Sequence, residues 1–413
     1  MKAIRIHEPT GINGLVYEEA PDATPGLCDV LVKVAACGIT HNELDWPIWT
    51  CRAGHQRTSI IPGHEVSGIV AALGYGTAGM AVGDEVFGLT DQFRDGAAAE
   101  YAAVEARNLA PKPHTADHVH AAAVPRAGLT AWQALFDHGR LARGQTVVIH
   151  GAGGAVGSTA VQLARWAGAQ VIGTGRSRAR PLATELGADR FIALDADRLE
   201  DAAGQADLVL DTIGGEVLAR SLALLRPGGT LVTIKAAAQP PASRDDISTV
   251  VFVQESSRAQ LTELARLVDE GHLRPQVGAV YPLAEAAKAY NAKAAGGELA
   301  RVGLAVPAQA GLSREVVVRL ATDHPVDRPP VRRGSLVADV IPVLAGERDV
   351  VRPGATAARV KRRDIRVRNP HMTGVRKRGP GRGRGLAHHG RGEHGASMAG
   401  SFPVGRAAPL RVV

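Results

Sequence analysis

A chain of 413 residues, 45% of them hydrophobic, is long enough for two or three domains with cores of their own. No apolar run reaches the roughly 18 to 20 residues of a membrane span, so a membrane partner is not expected. The net charge of +7 invites a nucleic-acid partner, but residues 308–413 carry 19 Arg, 2 Lys and 8 acids, a balance of +13, which leaves −6 on residues 1–307.

Residues 1 to about 120 read as short strands separated by turns. Asp29–Ala36 alternates Val30, Val32 and Val34 against Leu31, Lys33 and Ala35. The stretch from Ile60 to Val70 breaks at Pro62, Gly63 and Gly68, and Val82–Gly88 reads as a turn entering a strand. The three cysteines, Cys28, Cys37 and Cys51, form neither an even disulfide set nor a C-x-x-C zinc pair. With an opening stretch that lacks a signal-peptide apolar region, they predict a soluble protein of the reduced cytoplasm.

From about Ala121 the period changes. A helix-like AGLTAWQALFDHG precedes Thr146–Gly157, TVVIHGAGGAVG, in which Thr146, Val147, Val148 and Ile149 suit a strand buried on both faces. Gly151, Gly153, Gly154 and Gly157 then permit a sharp turn. Ala160, Val161, Leu163, Ala164 and Ala167 follow at near-helical spacing, so a helix N-terminus would present its N–H groups to a pyrophosphate. The spacing is G-x-x-G-x-x-G rather than the usual G-x-G-x-x-G, and the position between strand and helix is what favours a phosphate site over a plain turn.

Further strands are expected at 170–173, 190–194, 207–211 and 229–234, with an amphipathic EVLARSLALL between the last two. Repeated strand–helix units of this length indicate a doubly wound parallel sheet. RAQLTELARLVDEG after Ser257 is a helix with Leu261, Leu264, Ala265 and Val268 on one side. An extended GHLRPQVGAVYPL, an alanine-rich helix to Ala295 and a strand at 301–306 are expected to rejoin the first domain. Beyond Pro307 the chain turns rich in Pro, Gly and Arg, and such a segment cannot bury enough apolar surface to offset its chain entropy. It is expected to be disordered.

An NAD site usually carries Asp or Glu roughly 20 residues past the glycine turn, on the ribose 2′-hydroxyl. Here the stretch is Gly173-Thr174-Gly175-Arg176-Ser177-Arg178, without an acid before Glu185. Arg176, Ser177 and Arg178 offer cations and a hydroxyl to a 2′-phosphate, which predicts NADPH; a solvated basic turn is the alternative.

The quoted segments, together with Ile61-Pro62-Gly63-His64-Glu65, Val82-Gly83-Asp84-Glu85-Val86, Ala127–Trp132, LDTIGG and LRPGGTLVTI, make residues 1–306 resemble the medium-chain dehydrogenase/reductase superfamily, specifically its zinc-independent quinone-oxidoreductase-like branch. The resemblance implies a GroES-like β domain over 1–122, a Rossmann domain over 123–257, a return to the first domain over 258–307, and a basic tail over 308–413 that has no counterpart. It also implies a homodimer. It places the ligand positions of the zinc-dependent relatives on Thr40, His64 and Arg126. Threonine is a poor zinc ligand and arginine a cation, so no metal is expected.

Without zinc as Lewis acid, reduction of a quinone or enone is easier than alcohol oxidation, because the substrate carbonyl delocalises the incoming charge. Thr40, His41 and His64 are then expected as hydrogen-bond donors near the nicotinamide, Glu43 as a residue that orients a neighbour, and Arg126 as support for the carbonyl or a cofactor phosphate. His64 reads equally well as a buried remnant of a zinc site. Trp46, Trp49 and Phe93 would line a flat apolar pocket for a quinone, enone or aldehyde, or belong to the core. By resemblance, Thr130, Gly151, Gly153, Gly154, Ala155, Val156, Gly157, Ile213, Gly214, Phe252 and Val253 touch the cofactor, with strand packing an equal reading for the last two. The competing functions are a zinc-type alcohol or aldehyde dehydrogenase, and a non-catalytic NADPH-binding protein whose tail binds nucleic acid through Arg362-Arg363 and Arg382–Gly385. The tail lacks interleaved aromatic residues for base stacking, which speaks against the last.

Overall fold

The computed structural model describes residues 1–40, 42–202, 205–235, 244–295 and 301–306, with the backbone of 411–412. The candidate His41 and nearly all of the basic tail lie outside these residues.

The chain begins with a hairpin, β1 (Lys2–Arg5) against β2 (Val16–Glu19). Then come β3 (Asp29–Ile39), β4 (Glu65–Leu73), β5 (Glu85–Leu89), β6 (Tyr101–Glu105) and β7 (Leu109–Pro111). β3 pairs antiparallel with both β4 and β6, and β4, β5 and β7 continue the sheet. The alternation read in residues 29–36 is largely absent from the burial: Leu31 is as enclosed as Val30 and Val32, because this strand is covered on both faces.

α1 (His118–Ala122) starts under an Asp117 cap, and α2 (Pro125–Trp132) runs into a π-helical turn over Gln133–His138. The parallel units follow: β8 (Thr146–His150), α3 (Ala155–Trp166), β9 (Gln170–Gly175), α4 (Arg180–Glu185), β10 (Arg190–Ala193), β11 (Ala206–Asp211), α5 (Gly215–Ser221), β12 (Leu225–Thr233) and β13 (Ser248–Val251). Their spatial order is β10-β9-β8-β11-β12-β13, all parallel, which places the reversal of winding beside β8. In such sheets ligands sit at the carboxyl ends of the strands at that reversal. Val147, Val148 and Ile149 are fully enclosed, as a strand between two helical layers requires. Ala160, Val161, Leu163 and Ala164 bury the inner face of α3 against them.

α6 (Arg258–Asp269), capped by Ser257, presents Leu261, Leu264, Ala265 and Val268 to the same core. β14 (Val277–Pro282), α7 (Ala286–Ala294) and β15 (Arg301–Ala305) then rejoin the first sheet, β15 pairing with β3 so that Gly303 faces Gly38 and Leu304 faces Cys37. The glycine in this last strand lies opposite another glycine and does not interrupt the ladder. β16 (Arg411–Val412) runs parallel to β13 at the edge of the second sheet. No helix among the described residues is long and apolar enough to cross a membrane.

Candidate active site

β8 delivers the chain into a turn at Gly151–Gly154, and Gly154 is the N-terminal cap of α3. Gly151 has φ +72°, and a Cβ there would strike Thr212 Oγ1. Gly157 lies directly on the Gly151 carbonyl, so a side chain there would collide with backbone. Gly154 has only the Gly151 oxygen within 3.2 Å of a built Cβ, and its open side is the approach to the helix N-terminus. Three glycines thus do different work: Gly151 makes the turn, Gly157 lets helix and strand close, and Gly154 caps the helix. Gly153, Ala155, Val156 and Gly157 form the rim and the first helical turn, whose N–H groups have no partner within the helix. This cradle fits a dinucleotide pyrophosphate.

The turn after β11 completes the floor. Asp211, fully buried, accepts the N–H groups of Ile213 (3.1 Å) and Gly214 (3.0 Å) on one oxygen and the Thr233 hydroxyl (2.7 Å) on the other. Thr212 Oγ1 donates to the His150 carbonyl at 2.7 Å, and Ile213 is exposed beside Gly151. His150 spans Thr174 and Ser221 from the end of β8. Burial lowers its pKa to about 4, so it is a neutral tie between elements. Neither Asp211 nor His150 was singled out in the sequence, although both stand at strand ends where polar residues interrupt apolar runs.

The second cluster gathers at the end of β3, the start of β4 and the start of α2. Glu65, fully buried, accepts the Arg126 backbone N–H on Oε1 (2.9 Å) and the Thr40 hydroxyl on Oε2 (3.1 Å). The three positions assigned by resemblance are therefore brought together, with Glu65, unremarked in the sequence beyond its motif, as the joint. His64 is buried, its Nδ1 3.0 Å from Thr90 Oγ1, and its Nε2 has no hydrogen-bond partner. The Thr90 hydroxyl also reaches the Gly63 carbonyl, so it accepts from Nδ1–H and leaves Nε2 with a lone pair. Burial, with the nearby Arg126 and Arg57 charges, lowers the His64 pKa to about 3. His64 is thus a neutral imidazole. Thr40 spends its hydroxyl proton on Glu65.

The Trp46 ring stacks on His64 at 5.7 Å between centroids, and the Arg126 guanidinium carbon lies 4.6 Å from the Trp46 centroid. Arg126 Nη1 also donates to Gln254 Oε1 at 3.3 Å. Gln133 holds the same segment, its amide donating to the Glu255 carbonyl at 2.8 Å and accepting the Glu255 N–H at 3.0 Å. Glu43 is fully buried: Oε1 accepts the Tyr290 phenol (2.7 Å) and the Thr40 N–H (3.3 Å), and Oε2 has no hydrogen-bond partner. Burial raises its pKa to about 7. Burial also pushes the Cys37 thiol and the Tyr290 phenol well up, so both stay protonated.

Other candidates fall elsewhere. Thr130 is buried and donates to the Arg126 carbonyl at 2.6 Å, a bond within its own helix. Phe252 is core, against the His138 ring at 4.5 Å, whereas Val253 is 68% exposed. Trp49 packs with Ile6, Ile48 and Ile60, and Phe93 lies under Arg52. Arg176, Ser177 and Arg178 are exposed in the turn after β9, where an adenosine ribose would lie. Ser177 there donates both its N–H and its hydroxyl to Asp195.

A zinc ion does not suit this donor set. Of the three positions, only His64 offers a ligand atom of the right kind; the Thr40 hydroxyl is bound to Glu65 and the third position brings a cation. Among the described residues no group of three His, Cys, Asp or Glu side chains is disposed to hold a metal.

Two family profiles match the chain: alcohol dehydrogenase GroES-like domain over residues 26–114 and zinc-binding dehydrogenase over 186–301. The 2-methylene-furan-3-one reductase of Solanum lycopersicum is 30% identical over 60% of this chain, and the match spans 63% of that reductase. The NADPH-dependent alkenal/one oxidoreductase of Arabidopsis thaliana is 30% identical over 63% of this chain and 68% of its own. The quinone oxidoreductase of Rattus norvegicus is 29% identical over 70% and 93%. A mycobacterial quinone oxidoreductase superposes with a TM-score of 0.64 at 26% identity, over 74% of this chain and 99% of that one. With the strand order 3-2-1-4-5-6 of its parallel sheet, its glycine turn and its returning β15, this chain belongs to the medium-chain dehydrogenase/reductase superfamily.

Proposed function

We propose that the chain is an NADPH-dependent oxidoreductase that reduces a quinone or an α,β-unsaturated carbonyl without a metal. The observation that carries this is Arg126, a permanent cation set over Trp46 beside the neutral His64. The dihydronicotinamide supplies a hydride when bound. Gly151–Gly157 and the first turn of α3 would hold the pyrophosphate, and Arg176 and Arg178 the 2′-phosphate. Negative charge that develops on the carbonyl oxygen of an enone or quinone during its reduction would be stabilised by the Arg126 guanidinium. Trp46 gives a planar acceptor an apolar face. His64 Nε2, buried and without a partner, would accept a hydrogen bond only from an enclosed water, and Glu43, near half-protonation at neutral pH, holds a proton behind Thr40. The relatives named as quinone oxidoreductase and alkenal/one oxidoreductase support the same acceptors.

NADPH oxidation against a panel of quinones, enones and aldehydes, with metal analysis of the purified protein, tests this reading. Turnover of quinones or enones by metal-free protein is the expected result. One equivalent of zinc with activity on alcohols and aldehydes would replace it with the zinc-type dehydrogenase.

A further inference from the structure

Ser177 stands at the end of β9, where a Rossmann fold meets the adenosine ribose. Its N–H and its hydroxyl both point to one oxygen, Asp195 Oδ1, at 2.8 and 2.7 Å. An N–H and an O–H converging on one anionic oxygen make a seat that a phosphate oxygen would use in the same way. Asp195 is held beside it by backbone: Leu194 N–H donates to the Gly175 carbonyl at 2.7 Å, which fixes the end of β10 against the end of β9. The neighbouring cation Arg180 is paired with Asp197 at 2.8 Å, and Asp197 also accepts the Ala193 N–H.

We infer that Asp195 competes with the cofactor 2′-phosphate for the Ser177 donors and so sets the preference between NADPH and NADH. The inference rests on the NADPH reading for the identity of the ligand. The carboxylate is ionised near neutral pH, because its two bonds from Ser177 and the adjacent Arg176 charge hold its pKa below the ordinary value. A phosphate dianion entering the turn must displace Asp195 from Ser177 or lie beside a like charge, and either weakens NADPH. NADH brings a hydroxyl to the same place and meets no such opposition. Arg176 and Arg178 attract the phosphate while Asp195 opposes it.

The test is direct binding, followed by dihydronicotinamide fluorescence with NADPH and NADH on the full chain, so that no acceptor needs to be known. Asp195→Ala and Asp195→Asn are expected to tighten NADPH about tenfold and to change NADH less than twofold. In a Ser177→Ala background the same replacements lose most of the gain. A change of equal size for both cofactors, loss of both included, overturns the inference, as does no change for NADPH. A wild-type protein that binds NADH more tightly would refute the NADPH reading itself, and the change in ratio on Asp195 replacement would still decide the role of that residue.

Discussion

The Tyr290 phenol donates to Glu43 Oε1 at 2.7 Å, a bond made across 247 residues of chain. It fastens the returning helix α7 to the segment that carries Thr40, and both groups are buried. Tyr290→Phe leaves the Glu43 carboxyl with one donor fewer in a dry site. A loss of about 1–3 kcal/mol in urea unfolding is expected, with a lowered Tm. A Tm equal to that of the wild type would mean that water replaces the phenol.

Glu43 also makes stability depend on pH. Its folded pKa is raised from 4.5 to about 7, so the folded state binds its proton more tightly than the unfolded state does. The associated stability is fully present below pH 4.5 and is lost as pH rises through about 7. His64 acts in the opposite sense: its pKa falls from 6.5 to about 3, and its contribution is lost as pH falls between those values. Glu43→Gln removes only the first effect. Relative to the wild type, this variant should therefore gain stability as pH is raised from 4.5 to 7, measured as the difference in Tm across a pH series. A flat difference would show that Glu43 is ionised in the folded protein.

Arg126 makes its bond to Glu65 through the backbone, so its side chain can be changed without removing that joint. Arg126→Gln should lower kcat/KM for a quinone by about a hundredfold, the scale of losing one charge-stabilising donor, while NADPH binding changes little. Arg126→Lys keeps the charge but not the planar stack on Trp46, and should fall between the two. Equal kcat/KM in all three proteins would remove Arg126 from the chemistry.

The glycine turn separates folding from binding. Gly157→Ala drives a methyl group into the Gly151 carbonyl and should cost stability, read as a lowered Tm with or without cofactor. Gly154→Ala has an ordinary φ of −80°, and its methyl group would lie 3.2 Å from the Gly151 carbonyl oxygen, a tight contact but a far milder one than at Gly157. It should lower the Tm much less than Gly157→Ala does and weaken NADPH at least tenfold by occupying the approach to the helix. Unchanged NADPH affinity in Gly154→Ala would move the pyrophosphate away from this turn.

What the sequence by itself determined was local or periodic. The apolar run Thr146–Ile149, the glycines after it, the helical spacing of Leu261, Leu264 and Val268, and the short strands alternating with helices each follow from steric and burial rules that act within a few residues. They were enough to assign β8, α3, α6 and the parallel sheet. Side-chain roles depended on partners far along the chain, and only the tertiary structure supplied them. Thr40 and His64 suggested donors from their residue types, yet Glu65 takes the proton of one and Thr90 fixes the tautomer of the other. Ser177 suggests a phosphate ligand by its residue type, and only the fold shows Asp195, 18 residues on, bound to both of its donors. A hydroxyl or imidazole can give or accept, and which it does is set by the group that folding places against it.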